Sequence, residues 1–335
     1  MATIYGDTEG TLEARAKAQT LTGTDGEINY IFGDAFRIEN MRGGNDVLIG
    51  GDYSLENLLY GDAFEMSASQ GGNDVITGGT TILGSQLYGD AYAMFDSQGG
   101  NDVLTGGAHS ISILNLLHGD AFYMLDSQGG NDVLTGGSNT SSNVLYGDAF
   151  QMSGSRGGND VLTGGANVFY NELYGDSYKI HDRQGGNDIL IAGANPSTGT
   201  SVTKNILYGD ALCHGAGSIV CGNDRLISST GDDDMWGDIR FFDTGTSYDD
   251  IDLTRVTTGH DVFVFSANNG NDTIHDFRHG EDKIELQGVG VTSFDALMAG
   301  SHLSQDSTNS VITFGTNTIT VVGVTELTAA DFMFT

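Results

Sequence analysis

Apolar residues in this chain are regularly placed and mostly single. Short segments of three or four residues carry one apolar residue at the centre and end at glycine. Asn57-Leu58-Leu59-Tyr60-Gly61 is one kind and Asp74-Val75-Ile76-Thr77-Gly78 the other. So brief a stretch between glycines is too short for a helix. It suits a strand, in which alternate side chains face opposite ways. The central residues form two series. One is Ile31, Leu59, Leu87, Leu117, Leu145, Leu173 and Leu207, and the other is Leu48, Ile76, Leu104, Leu134, Leu162 and Leu190.

Both series keep pace with fixed markers. Gly-Gly-Asn-Asp stands at 43–46, 71–74, 99–102, 129–132, 157–160 and 185–188, in steps of 28, 28, 30, 28 and 28. Cys221-Gly222-Asn223-Asp224 is a divergent seventh copy. Gly-Asp recurs at the same pace, ending in Asp34, Asp62, Asp90, Asp120, Asp148, Asp176 and Asp210, with Tyr5-Gly6-Asp7 as a degenerate first copy. A repeat of this period indicates a solenoid. Stacked coils would pair equivalent strands in parallel, about 4.8 Å apart. The two apolar series would then become inward columns that no single repeat could bury. The expected fold is all-β, a parallel β-roll or β-helix solenoid with coils of about 28 residues.

A third segment follows Gly-Asp, as in Ala63-Phe64-Glu65-Met66 and Ala121-Phe122-Tyr123-Met124. It reads as a third strand or a covering arm, with the aromatic and the Met two apart on one face. Val75/Thr77, Val103/Thr105, Val133/Thr135 and Val161/Thr163 would point outward unless that arm covers them. His118 stands where other repeats have Tyr and reads as surface filling. The regular repeats fade near residue 230. The chain therefore divides into a repeat solenoid of about eight coils, 1–230, and a C-terminal β-rich cap, 231–335.

Composition narrows the picture. The 335 residues include 51 Gly and one Pro, so glycine does not mark a collagen. The net charge of −32 comes from 45 acidic and 13 basic residues. Such a polyanion is a poor partner for nucleic acid, which needs a basic face. No apolar run approaches the ~18 residues of a transmembrane helix. The N-terminus lacks the basic start and apolar core of a Sec-type signal peptide. Cys213 and Cys221 share one loop, and an extracellular setting would favour a disulfide between them.

Glycine lets a turn adopt positive φ and brings backbone carbonyls together. Aspartate adds a carboxylate, and carbonyls with carboxylates make the all-oxygen site that Ca²⁺ prefers over the stricter Mg²⁺ octahedron. The candidate ligands are the Gly-Asp aspartates named above, Asp46, Asp74, Asp102, Asp132, Asp160, Asp188 and Asp224 of the second marker, and Gly43, Gly71, Gly99, Gly129, Gly157 and Gly185. Carboxylates stacked at coil spacing repel without a cation between them. Multiple Ca²⁺ ions are thus expected to act as folding ligands.

The segments Gly-Gly-Asn-Asp-Val-Leu-Thr-Gly-Gly at 99–107, 129–137 and 157–165 resemble the RTX (repeats-in-toxin) family, whose G-G-x-G-x-D-x-U-x nonapeptides bind Ca²⁺. The resemblance implies a right-handed parallel β-roll with calcium between successive turns. A β-roll coil has about 18 residues, two nonapeptides. This chain adds about eight residues after Gly-Asp and about two in the opposite turn. That opposite turn carries Asn29, Asn57, Ser85, Asn115, Asn143, Asn171 and Asn205 at the ligand position. Calcium is therefore expected mainly on one edge, with an asparagine ladder on the other. Asp96, Asp126 and Asp182 lie in the inserted segment as extra ligands or solvated groups.

Residues 259–286 resemble the C-terminal domain of serralysin-type proteases and other type I secreted proteins. That resemblance gives Asp261, Asp272, Asp276 and Asp282 as further calcium ligands. It also makes Asp331-Phe332-Met333-Phe334-Thr335 an uncleaved export signal for the type I secretion machinery. Export would leave the chain unfolded in calcium-poor cytoplasm. It would fold outside on sites with Kd of roughly 10⁻⁴–10⁻³ M.

The sequence has no His-Glu-x-x-His for zinc protease chemistry, no Gly-x-Ser-x-Gly elbow and no phosphate loop. The expectation is a non-enzymatic, secreted calcium-binding protein with a structural, surface or adhesion role, its partner a cell-surface or matrix polymer. The alternatives are a solenoid face that binds ice or glycan, a polysaccharide-active enzyme, or a membrane-active toxin.

Overall fold

The computed structural model describes residues 1–108, 114–181, 183–195, 203–213, 218–241 and 256–335. Each regular coil passes through three strands, as in Asn57–Tyr60, Ala63–Ser67 and Val75–Thr77. Stacking makes three long sheets, which hold 13, 9 and 11 strands among the described residues, and one short sheet of three strands, Arg183–Gln184, Ile219–Val220 and Val256–Thr257. The coil is three-sided, and the segment after Gly-Asp is the third strand. Pairing is parallel and in register. Leu87 pairs with Leu59 and Leu117, Leu104 with Ile76 and Leu134, and Met94 with Met66 and Met124. Tyr5-Gly6-Asp7 belongs to a true first coil, because Ala2–Tyr5 pairs with Asn29–Phe32.

The two leucine series form the main core. Every member from Ile31 to Leu207 and from Leu48 to Leu190 is fully buried. Burying a leucine side chain contributes about 1.5–3 kcal/mol, and stacking alone makes that possible here. The columns continue as Met235 and Ile274 on one side and as Leu226 and Phe263 on the other. The first and third sheets thus run without a break past residue 231 into the cap.

The third segment corrects one expectation. Its aromatic and its Met do not share a face. Ala63, Met66, Ala91, Met94, Ala121 and Met124 are fully buried in a second core. The ladder pairs Ala91 with Ala121 and Ala93 with Tyr123 but skips the position between them, as it does in neighbouring coils. The aromatic is outward by ordinary alternation after the buried Ala, and the irregularity turns the Met back into the core. Phe36, Phe64, Tyr92, Phe122, Phe150 and Tyr178 stack at 4.8–5.1 Å. This outer stack leans edge-on against an inner one built from Tyr60, Tyr88, His118, Tyr146 and Tyr174. His118 is therefore not surface filling. It is 1% exposed and sandwiched between Tyr88 and Tyr146.

The third sheet is buried on one face only. Val75, Val103 and Val133 are 42–44% exposed, so the Val/Thr columns are open to solvent in these coils, while Val161 and Thr163 are half-buried. The cap closes the C-terminal end with the hairpin strands Asn309–Phe314 and Asn317–Val322 and a short helix, Phe294–Ala299, that buries Leu297. Asp331 is fully buried, forms a capping box with Thr328 and pairs with His279 at 2.9 Å. Phe332–Phe334 adds the last strand of the third sheet. No helix among the described residues is long and apolar enough to cross a membrane.

Candidate metal centre

The turn between the second and third strands carries Gly-Gly-Asn-Asp, and the turn between the first and second carries Gly-Asp. The coil folds these two turns against each other. Gly44 N–H donates to Asp34 Oδ2 at 2.8 Å, Gly72 to Asp62 at 2.9 Å, and Gly158 to Asp148 at 2.8 Å. Gly100, Gly130, Gly186 and Gly222 repeat the bond to Asp90, Asp120, Asp176 and Asp210. The second marker links coil to coil. Asp46 N–H donates to Asp74 Oδ1, and the chain of such bonds runs through Asp102, Asp132, Asp160, Asp188, Asp224 and Asp261 to Asp282 at 2.6–3.0 Å.

Two columns of aspartate thus run side by side along one edge, all wholly buried or nearly so. One oxygen of each is held by backbone. The other oxygen of Asp34, Asp46, Asp62, Asp74, Asp102, Asp132, Asp148, Asp160, Asp210, Asp224 and Asp261 has no hydrogen-bond partner. Carboxylate oxygens of Asp34, Asp46 and Asp62 lie within 4.8 Å of one another. Two ionised carboxylates at that spacing repel by about 3–4 kcal/mol at an effective dielectric near 20. A divalent cation between them reverses the sign. The donor set fits Ca²⁺, being oxygen only and spread over neighbouring coils.

The same geometry shifts the acids upward. Burial, with Asp34 nearby, pushes Asp46 up to about 8, and burial with Asp238 nearby pushes Asp261 up to about 9, against an ordinary value near 3.8. Asp34 and Asp90 rise to about 6, mainly by burial. Asp62, Asp74, Asp102, Asp120, Asp132, Asp148, Asp160, Asp210 and Asp224 are raised well above the ordinary value, burial again leading.

The turn glycines are required for a reason other than positive φ. None of Gly43, Gly71, Gly99, Gly129, Gly157 and Gly185 has φ in the left-handed region. They sit too close to the site for a side chain, since a Cβ on Gly71 would lie 1.7 Å from Asp90 Oδ1. The left-handed corner lies after the second strand, at Ala68, Asp96 and Asp126 with φ near 50°. Asp96 and Asp126 are exposed corner residues away from the aspartate columns. Asp182 lies outside the described residues.

In the cap, Asp261 and Asp282 prolong one column, and Asp276 prolongs the other by accepting from Gly237 and Asp238 N–H. Burial raises Asp276 to about 7 and Asp282 to about 6. Asp272 is not with them. It stands on the opposite edge, where it accepts from Ser228 Oγ at 3.0 Å, Asn269 Nδ2 at 2.5 Å and Asp233 N–H at 3.0 Å. That edge is the expected asparagine ladder. Asn29 donates to Asn57, Asn115 to Asn143, Asn143 to Asn171, Asn171 to Asn205, and Asn205 to Asp233, at 2.6–3.0 Å. Ser85 interrupts it and bonds Gly78 O instead.

Asp238 belongs to the first column but is absent from the ligands expected above. Trp236-Gly237-Asp238 keeps the aromatic-Gly-Asp pattern of Tyr60-Gly61-Asp62, the signal that could have found it. Of the expected Cys213–Cys221 pair, Cys221 is a buried thiol, and the bridge itself falls on a side chain outside the described residues. Cys221 takes the place of a site-facing glycine, so its sulfur is aimed at Asp210 and Asp238. The side chain of Cys213 lies outside the described residues.

No curated protein matches the chain. Among solved structures, the extracellular lipase LipA from Serratia marcescens aligns at 11% identity with a TM-score of 0.24, over 95% of this chain and 38% of the lipase. The chain therefore spans less than half the length of that protein. The profile described as Peptidase M10 serralysin C terminal matches residues 29–333. The chain, an RTX-type parallel β-solenoid over nearly its whole length, belongs to the serralysin C-terminal family.

Proposed function

We propose that this chain is a secreted, non-enzymatic calcium-binding repeat protein that folds on Ca²⁺ after type I export and serves as a structural or adhesive element outside the cell. The observation that carries the reading is the pair of buried aspartate columns, in which one carboxylate oxygen of each of Asp34, Asp46, Asp62, Asp74, Asp102, Asp132, Asp148, Asp160, Asp210, Asp224 and Asp261 lacks a partner. An uncompensated buried charge is expensive, and a row of them demands cations. Family membership supports both the calcium and the export route. Isothermal titration of the EDTA-treated chain tests it. Several Ca²⁺ ions should bind per chain and Mg²⁺ should not replace them. Fewer than two ions, or equal response to Mg²⁺, contradicts the reading.

A second reading concerns the partner. The Val/Thr columns of the third sheet form an exposed, in-register array with the ~4.8 Å repeat of parallel strands. A flat face of this kind suits a regular surface such as ice or a glycan chain. Replacing Val103 and Val133 by Lys should abolish such binding while leaving the calcium response intact. Binding that survives the change places the partner elsewhere.

A further inference from the structure

The seventh marker departs from the repeat at one residue. Cys221 stands where six copies have the first glycine. That position faces the metal edge. A Cβ on Gly129 would lie 1.7 Å from Asp148 Oδ1 and one on Gly185 would lie 1.9 Å from Asp210 Oδ1, the carboxylate in each case belonging to the next coil. In the seventh coil the corresponding carboxylate is Asp238. A sulfur therefore enters the site itself. Cys221 Sγ, an Asp210 oxygen and an Asp238 oxygen lie within 4.8 Å of one another, and all three residues are buried.

The surroundings point to a ligand. Asp210 Oδ1 accepts from Gly222 N–H at 2.8 Å, while Asp210 Oδ2 is fully buried and has no partner. Asp224 Oδ2 in the same turn is also buried without a partner. Asp238 Oδ1 accepts from Gly259 N–H at 2.6 Å, and Asp238 Oδ2 pairs with the Arg278 guanidinium. A thiolate is a soft donor and shifts preference away from Ca²⁺ towards Zn²⁺-like ions.

We propose that Asp210, Cys221 and Asp238 form a separate mixed sulfur–oxygen site for a divalent cation of the Zn²⁺ class, at the end of the row of all-oxygen sites. The thiol sulfur supplies its electron pair to the metal as the S–H bond breaks, and the proton leaves to solvent. No electron transfer is involved. The inference rests on the reading of this edge as metal-binding, and the test separates the two.

The probe is Cd²⁺, added to the full chain in excess Ca²⁺. The ultraviolet thiolate-to-Cd²⁺ charge-transfer band and far-ultraviolet circular dichroism are read on one sample. The band should saturate at one Cd²⁺ per chain and vanish in Cys221→Gly, which restores the glycine of the other coils and keeps the calcium response. Cys213→Ser should retain the band. A calcium-folded chain with no band, a band that persists in Cys221→Gly, or one lost in Cys213→Ser overturns the mixed site alone. A missing calcium response in circular dichroism overturns the calcium reading instead.

Discussion

At the residue scale, the metal edge depends on what is small and what is charged. Gly100 has no room for a methyl group, because its Cβ would lie 1.5 Å from Gly72 O, whereas a Cβ on Gly10 meets nothing within 4 Å. Gly100→Ala should therefore raise the Ca²⁺ midpoint for folding by at least several-fold, with Gly10→Ala near wild type in the same titration. Asp132→Asn removes a charge but leaves an oxygen to accept from Asp102 N–H. It should lower the number of bound Ca²⁺ ions. It should also raise the residual β structure of the metal-free chain in circular dichroism, because one repelling carboxylate is gone. A metal-free chain with less β structure in Asp132→Asn would mean that the column is held by its hydrogen bonds and not strained by charge.

At the element scale, a strand of the third sheet buries one residue between two outward ones, so its inward position matters and its outward ones do not. Leu134→Ala should cost about 2–5 kcal/mol by cavity formation. Val133→Thr on the exposed face should stay within about 0.5 kcal/mol. Denaturant unfolding of the calcium-loaded chain measures both. His118 is a flaw in the inner aromatic stack. Both ring nitrogens are buried without partners, and burial alone pushes the imidazole down to about 3. His118→Tyr restores the residue of neighbouring coils and should stabilise by about 1–3 kcal/mol, the usual cost of an unsatisfied buried polar group.

These elements also show what a sequence can reveal. Leu59 and Ile76 were readable as core because period and glycine spacing fix their inward phase. The asparagine ladder was readable because Asn29, Asn57 and Asn115 keep one register. The opposite faces of Phe64 and Met66 are not legible in the sequence, because strict alternation is broken by a ladder irregularity that leaves no sequence mark. The edge that Asp272 joins is not legible either, because the cap abandons the 28-residue period. Spacing from the marker then no longer tells which edge an aspartate joins. The site-facing direction of Cys221 is not legible in the sequence, because the direction of its glycine position is visible only once coils are stacked.

At the scale of the whole molecule, a chain of net charge −32 stores much of that charge in two buried columns. Without metal, the folded state binds more protons than the unfolded one wherever pH lies between the ordinary carboxylate value and the raised one. Stability of the metal-free fold must then fall as pH rises, from about 4, through the values near 6 for Asp34 and 8 for Asp46, to about 9 for Asp261. The EDTA-treated chain should gain β structure when taken from pH 8 to pH 5, and calcium should abolish that dependence. Loss of structure on the same acidification would contradict the assignment.

Whether calcium folds this solenoid is read from far-ultraviolet circular dichroism of the EDTA-treated chain at neutral pH during Ca²⁺ titration, with Mg²⁺ as control. The chain should change cooperatively from coil to β structure with Ca²⁺ alone, complete in the millimolar range. A chain already rich in β structure before calcium is added would show that the leucine columns, aromatic stacks and asparagine ladder suffice, and would contradict folding by calcium.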